Sequence, residues 1–321
     1  MLARVVETIY WMARYMERAE DMARLINVNA NLIMDMPKGT TLGWQPILDI
    51  TSSRESYLAT HDNFDERPVL RYLIADKNSP ISLISNLEAA KENARTIRDT
   101  IPRECWEEIN TLYLYAKENL NLGLSKRGRH EYLTEIITAN QTISGLLAGT
   151  MNHDEGYLFL KMGRNIERAD MTTRFIDVRT QSLFEDDDHS LKAFENIQWM
   201  SVLKSLTGYQ MYRREMQVSI RHSQVLWFLI MSEVFPRSVF SCVTEVMACI
   251  ERLPNNKNAY KVVKDIKKFL QESDLSNLNH KTLHKFVDHI QVLMAELHQA
   301  LSETYFLSGV IAAEQAKKKR A

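Results

Sequence analysis

Two clusters of arginine and glutamate carry the residue types best suited to chemistry in this chain of 321 residues. Arg14, Glu17 and Arg18 recur in the same order as Arg164, Glu167 and Arg168, an offset of 150 (14 to 164). A guanidinium is planar, permanently charged and able to grip a carboxylate or phosphate through two parallel N–H donors. A glutamate one helical turn away can orient such a guanidinium and offset the repulsion between neighbouring cations. A set of this kind can recognise an anionic group or stabilise negative charge that develops during a reaction. Two plainer readings stand beside that one. The stripes can be solvated ion pairs worth roughly 0.2–0.5 kcal/mol each, or a closed network that serves packing alone.

The repeat extends beyond these six positions. Ala19, Arg24, Ile26 and Val28 match Ala169, Arg174, Ile176 and Val178 in the same register. Trp44, Ile47, Leu48 and Tyr57 match Trp199, Val202, Leu203 and Tyr212 at an offset of 155 (44 to 199). Val69, Leu70, Leu73, Ile74, Pro80, Ser82 and Ser85 match Val225, Leu226, Leu229, Ile230, Pro236, Ser238 and Ser241 at 156 (69 to 225). Slips of a few residues are what short loop insertions produce, so the pattern predicts a duplicated unit with halves of about 1–150 and 151–321. From about residue 87 the halves diverge.

The elements that must position these residues are helical. Gly (10) and Pro (7) are sparse, and 15 Met accompany abundant Leu, Ile, Ala, Glu and Arg. Apolar residues recur with helical spacing and without the alternation of strands, so an all-α fold is expected. Helices are expected from about Leu2 to Met34, stopping near Pro37-Lys38-Gly39, then over Trp44–Thr60 and Arg67–Ala75. The pair Ser79-Pro80 reads as the start of a helix running to Ile101, and Pro102 opens another to about Asn121. Gly123–Arg129 reads as a loop, followed by a helix from His130 to Ala148 and the repeated charged helix to Leu183. Helices around Trp199 and Val225 and a start at Phe235-Pro236 echo the first half, before helices over Lys257–Glu272 and Leu278–Gly309. No segment reads as a linker between free domains, so one bundle with an internal pseudo-two-fold is expected.

At about 100° per residue, Tyr10, Arg14, Glu17, Arg18, Asp21 and Val28 fall on one stripe of the first helix. Met12, Met16, Ala19, Ala23 and Ile26 fall opposite, and Met162, Ile166, Ala169 and Ile176 repeat that apolar face. The functional reading predicts that the two charged stripes face each other, with Arg14, Arg18, Arg164 and Arg168 converging and each held by Glu17 or Glu167.

Several function classes are disfavoured. Lys plus Arg is 40 and Asp plus Glu 41, a net charge of −1, which gives no electrostatic case for nucleic acid. The Lys317-Lys318-Lys319-Arg320 run reads as a solvated tail, and Glu185-Asp186-Asp187-Asp188 as a solvated connection. Cys105, Cys242 and Cys249 show no framework spacing, which predicts reduced thiols and a cytoplasmic setting. Charged Arg4 and Glu7 interrupt any signal-peptide core, and the longest apolar run, Val225–Met231, is too short to span a bilayer. No Gly-rich phosphate loop or nucleophile elbow is present, so ATP binding by this chain alone is not expected. His280, His284 and Asp288 share a helical face, but Lys281 and Lys285 beside them disfavour a metal. Tyr212-Arg213-Arg214 reads either as a cationic recognition patch or as an ordinary helix flank.

At RYMERAE and RNIERAD the chain resembles the bacterial Alpha-E proteins, an all-helical family named for its Glu-Arg motif. The resemblance also covers MLARVVETIYWMARYMERAEDMARL, NSPISLISNLEAAKENARTIRDTI, YQMYRREM and FPRSVFSCV, in order along the chain. It implies a protein encoded beside, or fused to, a circularly permuted ATP-grasp protein, often with a transglutaminase-like protein nearby. ATP-grasp enzymes activate carboxylates as acyl phosphates and join them to amines, so the implied role is in amide or peptide ligation. ATP and Mg would then sit on the partner. The positions of family type are Arg14, Glu17, Arg18, Asn93, Arg95, Arg98, Arg164, Glu167, Arg168, Tyr212, Arg213, Arg214, Pro236, Arg237 and Ser238. Ile81 stands where the second half has Arg237, so an asymmetric site is expected. The resemblance leaves open whether the chain completes acyl transfer, docks its partner without catalysis, or turns over alone.

Overall fold

The computed structural model describes residues 1–35, 43–184, 192–217, 220–276, 278 and 280–306, and among these all regular structure is helical. The Pro37-Lys38-Gly39 stop, the acidic run at 185–188 and the terminal basic run lie outside the described residues. The first half contains α1 (Ala3–Asp35), α2 (Gln45–Ile50), α3 (Arg54–Leu58), α4 (Glu66–Ile74), α5 (Leu83–Thr96), α6 (Arg103–Glu118), α7 (Leu120–Leu124) and α8 (Arg129–Thr150). The second contains α9 (Glu155–Phe184), α10 (Lys192–Ser205), α11 (Tyr209–Met216), α12 (His222–Met231), α13 (Val239–Glu251), α14 (Lys257–Glu272) and α15 (His280–Tyr305).

The two charged helices, α1 and α9, pack against each other at the centre. Their contacts advance together, from Met1 on Glu155 to Tyr10 beside Gly163 and then Glu17 on Arg168, so the pair runs parallel. α5 and α8 flank α1, with α6 between them, and α13 and α15 flank α9, with α14 between them. α2 crosses to α9 and α10 crosses to α1, which ties each half to the other's central helix. Gly163 sets the approach of the pair. A Cβ there would collide with the Tyr10 carbonyl, so the matching Ala13 could not be repeated in α9.

Burial on every side of α1 overturns the reading of its charged stripe as a solvated surface. Met12, Ala19 and Ile26 are fully buried on one face, and on the other Glu17 is 3 % exposed and Asp21 0 %. A helix enclosed this way must pair its polar groups internally, because an unpaired buried charge is costly.

Two expected boundaries moved for local reasons. The expected Trp44–Thr60 helix breaks into α2 and α3 at Ser52, where φ is +51°. There the Thr51 hydroxyl donates to Ile47 O at 2.8 Å and the Ser53 hydroxyl to Leu48 O at 3.3 Å, competing with the helical ladder. The expected start at Ser79-Pro80 lies in a turn. Ser82 caps α5 instead, its Oγ accepting from Ser85 N at 3.2 Å, and Ser238 caps α13 in the same way from Ser241 N at 3.1 Å. The same correction places Phe235-Pro236 ahead of α13, and α5 stops at Thr96 short of Ile101. The expected loop at Gly123–Arg129 is partly helical, because α7 runs to Leu124.

Candidate functional site

The four repeated arginines meet at the α1–α9 contact but do not form one cluster. Glu167 of α9 gathers the arginines of α1. Arg14 Nε lies 2.7 Å from its Oε2 and Arg18 Nε 2.6 Å from its Oε1, with Arg18 Nη2 donating to Oε2 at 3.0 Å. Glu167 is 2 % exposed. Burial alone would raise its pKa, but Arg14 and Arg18 outweigh burial and hold the carboxyl down at about 2.

Glu17 of α1 gathers a second set. Arg168 Nε lies 2.6 Å from Glu17 Oε1, and Arg237, from the turn before α13, places Nη1 2.8 Å from the same oxygen. Arg237 also reaches Asp21 Oδ1 at 2.8 Å and Glu20 Oε1 at 2.9 Å, and Arg24 holds Glu20 at 2.7 Å. Burial opposes ionisation of Glu17, yet Arg168 and Arg237 lower its pKa. Asp21 behaves differently. Burial pushes its carboxyl up to about 8, Arg237 opposes this, and Glu17 and Glu20 add to it. Its Oδ2 has no partner among the described residues and is the oxygen that can carry a proton.

Arg164, the counterpart of Arg14, is the exception. No carboxylate pairs with it among the described residues, and its buried Nε has no hydrogen-bond partner. Burial, and then Arg168, lower its pKa against the opposing pull of Glu17 and Tyr157, which does not restore it. A difference between the halves lies beside it: where the first half has Ile81, the second has Arg237, which shares Glu17 Oε1 with Arg168, while Arg164 makes no ion pair among the described residues. The expectation that each repeated arginine is held by Glu17 or Glu167 therefore fails at Arg164.

Arg164 lines a cavity of about 20 Å³ between α1, α8 and α9, shared with Glu17, Glu20, Asn140 and Ser144. That is room for about one water-sized group. Asn140 is 2 % exposed; its Nδ2 donates to Ile136 O at 2.8 Å, while its Oδ1 has no partner. The cavity thus holds one unused donor and one unused acceptor. Arg168, Arg14 and Arg18 are tethered through Nε, so each keeps at least one terminal nitrogen outside the carboxylate contacts. In total, six guanidiniums (Arg14, Arg18, Arg24, Arg164, Arg168 and Arg237) accompany four carboxyl groups (Glu17, Glu20, Asp21 and Glu167), and Asp21 keeps its proton below about 8.

Other candidates lie elsewhere. Arg95 is 63 % exposed near the end of α5 and pairs with Glu92 at 2.8 Å, and Asn93 lies on the same helix. Tyr212 is buried with its hydroxyl accepting from Arg221 N at 3.4 Å, whereas Arg213 and Arg214 are exposed on α11. Ser238 serves the α13 cap and donates to Ser232 O. None of these is joined to the central cluster except through Arg237, next to Ser238. His284 pairs with Asp177 at 2.6 Å, the His280 side chain lies outside the described residues, and no metal-holding group of three occurs among the described ones. Sequence reading missed Asn140. Glu20 and Arg24 were detectable as an i, i+4 pair, but nothing in the sequence places Asn140 beside Arg164.

No solved structure matches this chain. Uncharacterized proteins of Mycobacterium bovis and of Mycobacterium tuberculosis strain CDC 1551 are each 22 % identical over 321 aligned residues, covering 94 % of this chain and 36 % of the relative. A further one, from Mycobacterium tuberculosis strain H37Rv, is 21 % identical over the same shares. The chain thus spans about a third of the length of these relatives. The Alpha-E family, described as a predicted alpha-helical domain with a conserved ER motif, matches residues 1–306. Glu17-Arg18 and Glu167-Arg168 are two Glu-Arg pairs on the central helices, and this chain belongs to the Alpha-E family.

Proposed function

We propose that the chain is the helical partner of an ATP-grasp-type amide- or peptide-ligating system, and that Arg164 anchors an anionic group of its substrate or intermediate. One observation carries this reading: Arg164 is a largely buried guanidinium with no carboxylate in ion-pair contact among the described residues, and Glu17 nearby offsets its burial only in part. A charge in that position is costly until an anion meets it. The cavity admits a single oxygen of a carboxylate or phosphate, and Asn140 Oδ1 beside it requires a donor. A molecule that carries both an anionic oxygen and an N–H or O–H, as an amine acceptor with a carboxylate does, satisfies both groups. Arg168, tethered by Glu17, adds positive charge next to it. ATP and Mg would belong to the partner. The match to only 36 % of the relatives' length supports a unit that works joined to, or beside, another. Three unpaired buried thiols, Cys105, Cys242 and Cys249, support a reducing, cytoplasmic setting. No helix among the described residues is long and apolar enough to cross a membrane.

A second reading, a docking module without chemistry, is favoured by one feature. Arg237 with Glu17, Glu20 and Asp21 forms a closed buried network that locks α13 to α1 and needs no ligand. Reconstitution separates the two. With an ATP-grasp partner, ATP, Mg, a carboxylate donor and an amine, Arg164→Met should fold normally, bind the partner and lose the amide product. Unchanged product formation by this variant leaves the docking reading.

A further inference from the structure

Away from the charged centre, α12 turns an indole outward. Trp227 is 44 % exposed, and its ring stacks on no other aromatic ring among the described residues. Packing does not demand an indole there. At the matching position of the first half, an offset of 156 (71 to 227), stands Arg71, which is exposed too. Trp227 forms part of the wall of an open cleft of about 490 Å³, within the range of roughly 300–1,000 Å³ usual for small-molecule sites. Ser223, Gln224 and Met231 line the same cleft from the same face of α12, within about 100° of arc. Gln224 thus stands one turn before the indole and Met231 one turn after it. Met216, which ends α11, and Gln271, in the last turn of α14, line the cleft from the other elements. Among the described residues, Asp274 is the only charged group in this lining, and its Oδ1 accepts from Ser276 N at 2.9 Å.

We propose that this cleft binds a purine nucleoside or free purine, stacked on Trp227 and held at its edge by the amides of Gln224 and Gln271. An indole offers its face to a planar ring, and the thioethers of Met216 and Met231 adapt to the outline of whatever lies between them. A glutamine amide presents an acceptor and a donor side by side, the pattern that meets the N6 and N7 edge of adenine. Gln224 Oε1 makes no hydrogen bond among the described residues, and rotation about the terminal torsion turns either end of the amide toward the cleft. The Asp274 carboxylate and the Ser223 hydroxyl suit ribose hydroxyls. A phosphate would meet that carboxylate with no cation of the lining to offset it, so the ligand is the uncharged nucleoside or base and not the nucleotide. The cleft shares no residue with the Arg164 cavity and does not rest on the amide-ligating reading.

The test uses the full chain, with adenosine, guanosine, uridine and AMP as probes in calorimetry and saturation-transfer NMR. At least one of the two purine nucleosides should bind, with the strongest transfer to its base protons. Trp227→Arg, which copies the first half at an exposed position, should keep the melting temperature and weaken that purine about tenfold or more, the loss expected when a base loses its stacking platform. Trp227→Phe should recover part of the loss, and Gln224→Leu should weaken the purine with the indole still in place. Uridine should bind more weakly, AMP no more tightly than adenosine, and Arg164→Met should leave all four titrations unchanged. No binding of either purine nucleoside, or equal affinity in the wild type and Trp227→Arg, overturns the proposal. So does uridine binding as tightly as the purines, or AMP binding where adenosine does not. None of these outcomes touches the reading of Arg164, which has its own variant.

Discussion

Arg237 lies 2.8 Å from Glu17, a contact the first half of the chain cannot copy because Ile81 stands at the matching position. That one difference divides two similar ion-pair sets into a closed one and an open one. Glu167 keeps both arginines of α1, whereas Glu17 pairs with Arg168 and Arg237 and makes no ion pair with Arg164.

Removing Arg237 should be costly. Three carboxylates, Glu17, Glu20 and Asp21, share its guanidinium, and each is 3 % exposed or less. Arg237→Met should lower unfolding stability by about 3–5 kcal/mol in urea denaturation, the usual result of stranding buried charge. Arg237→Lys should recover little, because an ammonium cannot present a fork to three acceptors.

Arg164 should behave in the opposite way. Arg164→Met removes a charge with no carboxylate partner, so without ligand it should be neutral or stabilising, by up to about 1–3 kcal/mol. Arg168→Met, which frees Glu17 from its 2.6 Å contact, should destabilise by a comparable amount. Equal losses in both variants would mean that Arg164 has a structural partner after all.

Asp21 should make stability decline as pH rises from about 3.8 to about 8. Its folded pKa, raised to about 8 from an ordinary 3.8, means that the folded chain keeps a proton which the unfolded chain releases. Stability is therefore full below about 3.8 and falls as pH rises through 8. Glu167 acts at the other end. Its pKa of about 2 lies below the ordinary 4.5, so its contribution is present above 4.5 and lost as pH falls toward 2. Thermal melts across pH should show the decline up to about pH 8 in the wild type and its flattening in Asp21→Asn, with the loss toward pH 2 unchanged.

Gly163 offers a purely steric test. Gly163→Ala puts a methyl against the Tyr10 carbonyl and pushes the central helices apart. Melting should report a loss of about 1–3 kcal/mol, despite the better helix propensity of alanine.

Much of this was legible in the chain. α14 falls on Lys257–Glu272 as the spacing predicts, and α1 differs from expectation by one residue at each end. Periodicity reports those helices because their apolar faces are regular. It also placed Arg14, Glu17 and Arg18 against Arg164, Glu167 and Arg168. It could not tell that the charged stripe of α1 is as buried as its apolar face, since burial depends on what packs there. The asymmetry was half visible, in Ile81 against Arg237, but its effect on Arg164 needed coordinates. Asn140 carried no signal: it reaches the centre from flanking α8, and no motif ties it to α1 or α9. The break at Ser52 was missed because three consecutive hydroxyl residues outweighed an otherwise helical pattern.

The central claim is that Arg164 is a cation waiting for an anion, and calorimetric titration of phosphate and of a simple amino acid into the free protein at low salt tests it most directly. The wild type should bind at least one of them with a component of heat that Arg164→Met removes, while Arg95→Ala, at an exposed pair outside the cluster, leaves it unchanged. Identical titrations for wild type and Arg164→Met would contradict the account.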